Sequence, residues 1–127
     1  MGKKKPKKPD KTVRDVLYDW ASQEILLTHQ VYSQHIASAA HDEAYEYYET
    51  LKANISKPES VVISKTHKRT KIANIKLLNR KHKYLRVVIR YSDIWKQLLG
   101  TRNYVTTFYG ANSPMIGETV YVSNQKD

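Results

Sequence analysis

The chain contains no cysteine, which excludes disulfide bonds, thiolate zinc sites and cysteine nucleophiles. It has only four glycines, and because they are not clustered, a phosphate-binding glycine loop is excluded as well. No apolar run approaches the length of about 20 residues that spans a bilayer. Residues 60–92 contain no carboxylate. With 127 residues, the chain is long enough to bury the hydrophobic core of one domain without a metal or disulfide.

Positive charge is concentrated in the middle of the chain. Residues 60–92 hold ten lysines and arginines, whereas residues 12–59 hold eight carboxylates against three basic residues. Because the basic stretch also has the composition of β-strands, its charge is expected on a folded surface, where it can hold a phosphate backbone in one register. Nucleic acid is therefore the first partner that the sequence indicates.

The first eleven residues are predicted to be a disordered basic arm. They hold six lysines with Pro6 and Pro9 among them, and they have no apolar residues to bury beyond Met1. Such an arm can act as a solubilising or polyanion-binding tail. It is not followed by the apolar segment of a secretory signal, so we expect a soluble, cytoplasmic protein. Residues 12–127 are predicted to form a single domain.

Helices are predicted mainly in the N-terminal half. Val13, Val16, Leu17 and Trp20 recur at three- and four-residue spacing, which predicts a short amphipathic helix capped by Thr12. Residues 25–28 then predict a short strand. Helical spacing returns in residues 31–39 and again in residues 44–55, and Pro58 ends the helical region.

The rest of the chain predicts β-strands. Residues rich in β-branched and aromatic side chains lie at 61–63, 72–78, 84–91, 104–109 and 119–122. A polar loop of hairpin length, residues 79–83, joins the second and third of these, and residues 92–103 fit one helical turn or a long loop. The order predicts an α+β fold in which the N-terminal helices pack on one face of a small antiparallel β-sheet.

Alternation along residues 84–91 separates two faces of the predicted sheet. Leu85, Val87 and Ile89 share the core face, while Arg86 and Arg90 share the other. A face that shows arginines, hydroxyl groups and tyrosines could hold a phosphate, but it is equally typical of the solvated side of an antiparallel sheet.

Three segments together resemble a known nuclease group. They are EILLTHQVYSQHIASAAHDEAYEYYETLKANISKPESVVISK, HKYLRVVIRYSD and RNYVTTFYG. Their order resembles the phage- and mobile-element-associated nucleases called barnase–EndoU–colicin–RelE-like. The resemblance covers about residues 24–110 and depends on the shared order of short motifs, among them His35-Ile36, His41 and the Pro58-Glu59-Ser60-Val61 turn.

The resemblance implies metal-independent cleavage of RNA by a toxin or effector domain, with no cofactor. In this reaction a base removes the 2′-hydroxyl proton, the oxygen attacks the adjacent phosphate, and an acid protonates the leaving oxygen. The resemblance makes His35 and His41 the candidates for acid–base catalysis and Arg86 the candidate for phosphate stabilisation. Thr107 and Tyr109 could position the ribose or donate to the phosphate.

Helix geometry restricts the two histidines. Six residues along one uninterrupted helix turn the side chain by about 240°, so His35 and His41 can converge only if the chain bends at residues 39–42. Each could instead be structural: His41 as a first-turn residue of the next helix, and His35 as a half-buried histidine. His67 and His82 are interpreted as phosphate-side or solvated. No metal-ligand spacing is present among the five histidines.

A second function stays open at this point, because the same basic sheet could bind RNA or DNA without cleaving it. Phosphate contacts would then supply the affinity, and tyrosines would stack on unpaired bases. The candidate nucleic-acid-binding residues are Lys71, Lys76, Arg80, Lys81, Lys83 and Arg90. An acidic protein, such as an immunity partner or antitoxin, is a third candidate partner of this surface.

Overall fold

The computed structural model describes residues 12–38, 41–78, 81–93 and 102–123, and for residues 35–38 and 41–44 it describes the backbone alone. Within these residues there are seven strands and two helices. In chain order they are β1 Val13–Tyr18, β2 Glu24–Thr28, α1 His29–Ser38, α2 His41–Asn54, β3 Ser60–Ile63, β4 Thr70–Lys76, β5 Tyr84–Arg90, β6 Tyr104–Ala111 and β7 Glu118–Val122.

All seven strands belong to one mixed sheet, in the order β1-β2-β6-β5-β4-β3-β7. Neighbours pair antiparallel except β2 and β6, which are parallel with Leu26 opposite Tyr104. The predicted fold, N-terminal helices on a small antiparallel sheet, is therefore wrong. The sheet is larger and mixed, and the described part of the chain begins with a β-hairpin rather than with a helix.

The predicted first helix is strand β1. The helical spacing of its apolar residues gave a wrong prediction, because Val16 and Leu17 point to opposite faces of the strand and only Leu17 is buried. A tight turn ends the strand: the buried Asp19 carboxylate accepts hydrogen bonds from the backbone N–H of Ala21 and Gln23, both at 2.8 Å. Ser22 adopts a left-handed φ of 61°. This turn returns the chain into β2 instead of continuing a helix.

The two predicted helical regions and the later strands are confirmed. Thr28 caps α1, because its hydroxyl oxygen accepts a hydrogen bond from the N–H of Val31 at 3.3 Å. α1 and α2 are separate helices, and the bend predicted at residues 39–42 falls partly on residues 39–40, outside the described part. The predicted loop at 92–103 lies largely outside it as well, as does the basic arm at 1–11.

The helices cover one face of the sheet. On that helix-covered face, apolar side chains of α2 pack against the buried residues of the central strands. The core contains Tyr47, Leu51, Ile55, Leu27, Ala73, Ile75, Leu85, Val87, Ile89, Val105 and Phe108. Because strand side chains alternate, the residues between these point to the opposite side, called here the open face. No helix among the described residues is long and apolar enough to cross a membrane.

Candidate nucleic-acid interface

Polar and aromatic side chains line up in rows across the open face. Arg86 on β5 lies opposite Asn74 on β4 and Tyr109 on β6. One end of the face carries a second row, in which Arg90 lies opposite Tyr104. Partners in register share a face. Arg86, Arg90, Tyr104 and Tyr109 therefore share one face of the sheet.

An arginine-lined depression of about 320 Å³ lies at the Arg90 end of the open face. We call it the arginine pocket, and its lining residues are Arg69, Arg90, Tyr91, Ser92, Arg102, Tyr104 and Thr106. Two of its guanidinium groups are already paired, Arg69 with Asp93 and Arg102 with Glu24. The guanidinium of Arg90 is exposed and has no hydrogen-bond or ion-pair partner among the described residues. Arg90 therefore carries the uncompensated positive charge of the pocket.

A buried asparagine fixes the walls of this pocket. The Asn103 side chain accepts a hydrogen bond from the N–H of Ser92 at 2.9 Å and donates to the carbonyl of Glu24 at 3.0 Å. The backbone carbonyl of Asn103 also accepts from the N–H of Leu26 at 2.9 Å. These bonds tie the end of β5, the start of β6 and strand β2 together. They hold the backbones that carry Arg90, Arg102 and Glu24 in fixed positions.

A β-bulge in β6 increases the polar surface beside the pocket. The register shifts between Val88 and Ile89, so that Thr106 and Thr107 are both exposed. The Thr106 hydroxyl donates to the carbonyl of Val88 at 3.2 Å. Thr107 and the 37% exposed Tyr109 follow along the same strand. Hydroxyl groups thus extend from the pocket toward the middle of the open face.

The Arg86 guanidinium is hydrogen-bonded to a loop rather than open to a ligand. Residues 112–117, which we call the strap, cross the open face between β6 and β7. The Arg86 guanidinium donates to the carbonyl of Ser113 from Nε at 3.1 Å and from Nη2 at 2.9 Å, and Nη2 also donates to the Ser113 hydroxyl. The fully buried amide of Asn74 binds both the N–H and the carbonyl of Met115. Arg86 thus serves as an anchor of the strap.

The predicted histidine partners lie in the helix layer. His35 is in the last turn of α1 and His41 is the first residue of α2, and their side chains are outside the described part. Both helices pack against the helix-covered face, whereas Arg86, Thr107 and Tyr109 belong to the open face. The structure therefore brings the three strand residues together on one face and places the two helices on the other.

His82, predicted to be phosphate-side or solvated, contacts the helix layer instead. It is partly buried, and its Nδ1 is hydrogen-bonded to the hydroxyl of Tyr47, which is 2% exposed. Its ring lies over Gly110, where an added Cβ would be only 2.6 Å from the Tyr47 hydroxyl oxygen and closer still to the imidazole. His82 therefore fastens the β4–β5 hairpin to the helix layer.

The predicted nucleic-acid-binding residues divide between several regions. Lys71 belongs to the helix-covered face, and its ammonium nitrogen lies 4.8 Å from the ring centre of Tyr91. Lys76 is exposed on the open face opposite Tyr84, and Lys81 and Lys83 are exposed on the hairpin beyond it. Arg80 lies outside the described residues. Arg90 alone of this set lies in the arginine pocket, about 20 Å along β5 from Tyr84.

Sequence reasoning missed two cations of the pocket. Arg69 belongs to the basic stretch but was not selected, and Arg102 lies outside that stretch. The signal that could have found Arg102 is its position two residues before the predicted strand at 104–109. A residue just before a central strand lies at the end of the sheet, close to the ends of the neighbouring strands.

Two tyrosine hydroxyl groups near the sheet are held by carboxylates. Tyr91 donates to the buried Asp19 at 2.7 Å, and burial together with this hydrogen bond raises the pKa of Tyr91 far above its usual range. In the helix layer, Tyr48 donates to Asp15 at 2.5 Å, and burial followed by that bond raises the pKa of Tyr48. Both phenols stay protonated at neutral pH and serve as hydrogen-bond donors in the structure.

No protein-family model, no curated protein and no solved structure matches this chain.

Proposed function

We propose that the open face binds nucleic acid through phosphate contacts centred on Arg90. The observation that carries this proposal is the exposed guanidinium of Arg90, which has no partner among the described residues, in a depression shared with Arg69 and Arg102. A guanidinium presents a planar set of donors that matches phosphate oxygens, and Tyr104 and Thr106 supply further polar contacts beside it.

Charge around the pocket favours an extended polyanion over a small anion. Exposed lysines at the far end of the open face lie about 20 Å from Arg90, which is too far for one phosphate and fits several linked nucleotides. The basic stretch between the two ends contains no carboxylate that would repel a phosphate backbone. Phosphate contacts of this kind give binding that weakens steeply with salt.

RNA cleavage on the same face is the second candidate. It is favoured by the exposed hydroxyl groups of Thr107 and Tyr109, which lie on the open face together with Arg90. A cleavage reaction also needs a base and an acid in hydrogen-bond reach of the ribose and the leaving oxygen. Binding needs only the cations and donors already described, so it is the function that the geometry supports best.

The Arg90→Gln substitution tests the binding proposal. Fluorescence anisotropy with a labelled single-stranded RNA, measured over a range of salt concentrations, should show about tenfold weaker binding, because one charge-assisted phosphate contact is lost. The slope of log K against log salt should fall by about 0.7, the value expected for one phosphate contact on a single strand.

A charge-matched control is Lys52→Gln, which removes one positive charge from the exposed surface of α2. It should leave both affinity and salt slope close to wild type. Equal binding by the wild type, Arg90→Gln and Lys52→Gln would disprove the proposed site.

Gel analysis of the same RNA after incubation with wild type, Thr107→Ala and Tyr109→Phe tests cleavage. Intact RNA in the wild-type sample would remove the second candidate.

A further inference from the structure

Two apolar side chains lie exposed on strand β1, on the same face as the arginine pocket. Val16 is 50% exposed and Tyr18 is 54% exposed, whereas their neighbour Leu17 is buried in the core. We call Val16 and Tyr18 the β1 platform. Large exposed apolar side chains next to one another commonly mark a binding surface.

Strand register places this platform beside the pocket. Val16 lies opposite Leu26, Leu26 lies opposite Tyr104, and Tyr104 lies opposite Arg90, so the four residues form one row across the open face. Tyr18 lies opposite Glu24, the residue that pairs with Arg102 of the pocket. Two strand spacings, about 10 Å, therefore separate the platform from β6 at the pocket wall.

The surface between the β1 platform and the arginine pocket is formed by mostly buried side chains. Leu26 is 6% exposed, and Tyr104 beside it is partly buried. Moving across the row from Arg90, a ligand thus meets a cation, then a tyrosine, then a leucine and finally a valine, with Tyr18 two residues farther along β1. Three strand spacings, about 14 Å, separate Val16 from Arg90, so these surfaces suit a short strand that carries a phosphate at one end and a flat base farther along.

We propose that the β1 platform binds an unpaired nucleobase by stacking on Tyr18 while a phosphate farther along the same strand contacts Arg90. This inference rests on the proposed nucleic-acid binding and adds the class of ligand, which is single-stranded nucleic acid. A base in a duplex has both faces covered by its neighbours, so it cannot stack on a tyrosine without being unstacked first. The platform therefore makes the open face selective for single strands.

A peptide or a second copy of the chain is the competing occupant of the platform. The nucleobase is favoured because the exposed tyrosine shares the open face with Arg90, whose guanidinium has no partner among the described residues, and a short single strand is complementary to both groups. Self-association through the platform would instead bring two copies of the same cationic face toward each other, which costs electrostatic free energy.

Tyr18→Ala tests the platform, with a labelled ten-nucleotide single-stranded RNA, a duplex of the same length and inorganic polyphosphate as the three ligands. The variant should bind the single strand about tenfold more weakly and should bind duplex and polyphosphate within about twofold of wild type. Tyr18→Phe keeps the ring and should bind the single strand nearly as the wild type does. The matched control is Tyr45→Ala, because Tyr45 is 53% exposed on α2 in the helix layer and should not affect any ligand.

Several outcomes would overturn the platform proposal. Unchanged single-strand affinity in Tyr18→Ala would do so, and so would an equal loss for polyphosphate. A wild-type dimer that Tyr18→Ala converts to a monomer, measured by sedimentation, would identify the platform as a self-association surface. If Arg90→Gln weakens binding while Tyr18→Ala has no effect, the platform fails and the proposed function stands. If neither substitution weakens binding, both fail.

Discussion

Replacing Asn74 with alanine should destabilise the protein by about 3 kcal/mol and loosen the strap. The Asn74 side chain is fully buried, and it makes three hydrogen bonds: to the Ser60 hydroxyl at 3.1 Å, to the Met115 carbonyl at 3.2 Å and from the Met115 N–H at 2.8 Å. Each bond contributes about 1 kcal/mol net, and alanine also leaves the Met115 backbone groups without this partner.

Urea denaturation followed by circular dichroism measures this loss as a change in the free energy of unfolding. Asn112→Ala is the matched control, since Asn112 lies exposed on the same strap and its removal should change stability by less than about 0.5 kcal/mol. A loss below about 1 kcal/mol in Asn74→Ala would show that the asparagine does not hold the strap.

A double-mutant cycle sharpens the same prediction. Arg86 and Asn74 hold the same strap at Ser113 and Met115, so once one anchor is removed the other has less to stabilise. Asn74→Ala combined with Arg86→Gln should therefore cost at least about 0.5 kcal/mol less than the two single costs added together. Strictly additive costs would mean that the two anchors act on independent parts of the chain.

Two further substitutions test the packing around the sheet. Gly110→Ala should cost about 1–3 kcal/mol in urea denaturation, because the new methyl group meets the His82 ring and the Tyr47 hydroxyl, and the cost should shrink when Tyr47→Phe and His82→Ala are also present. Tyr91→Phe should cost about 2 kcal/mol at neutral pH, because it removes a hydrogen bond to the buried Asp19 carboxylate. Since the pKa of Tyr91 is raised in the folded state, its stabilisation is fully present below the ordinary value of 10.0 and is lost as pH rises above it. Unfolding measured from pH 7 to pH 11 should therefore show a shallower alkaline loss in Tyr91→Phe than in wild type, and parallel curves would contradict this assignment.

The later strands could be predicted because their composition and their contacts agree. In β5 the alternation of Leu85, Val87 and Ile89 with more polar residues matches one buried and one open face. Strand β1 could not be predicted in the same way, because only one of its six residues is buried. Its apolar residues lie on both faces, with Leu17 buried and Val16 and Tyr18 exposed, so they do not mark a buried face, and the helical spacing arose by coincidence.

The candidate site was only partly predictable for a related reason. Arg90 was assigned to the open face by alternation along residues 84–91, which depends on local sequence alone. The contribution of Arg102 depends on the parallel pairing of β2 with β6, and no local pattern specifies which distant strands become neighbours. The loss of Arg86 to the strap likewise depends on the position of Ser113, 27 residues away along the chain.

The parallel pairing of β2 with β6 has a consequence for how the protein is made. Arg102 and Glu24, which join the N-terminal hairpin to the rest of the sheet, are 78 positions apart. During synthesis, β2 has no sheet neighbour except β1 until β6 leaves the ribosome. Ile25 and Leu27 are fully buried in the finished protein, so in the nascent hairpin their side chains stay partly exposed to solvent. We expect this delay to make the emerging chain dependent on chaperones until β6 has left the ribosome.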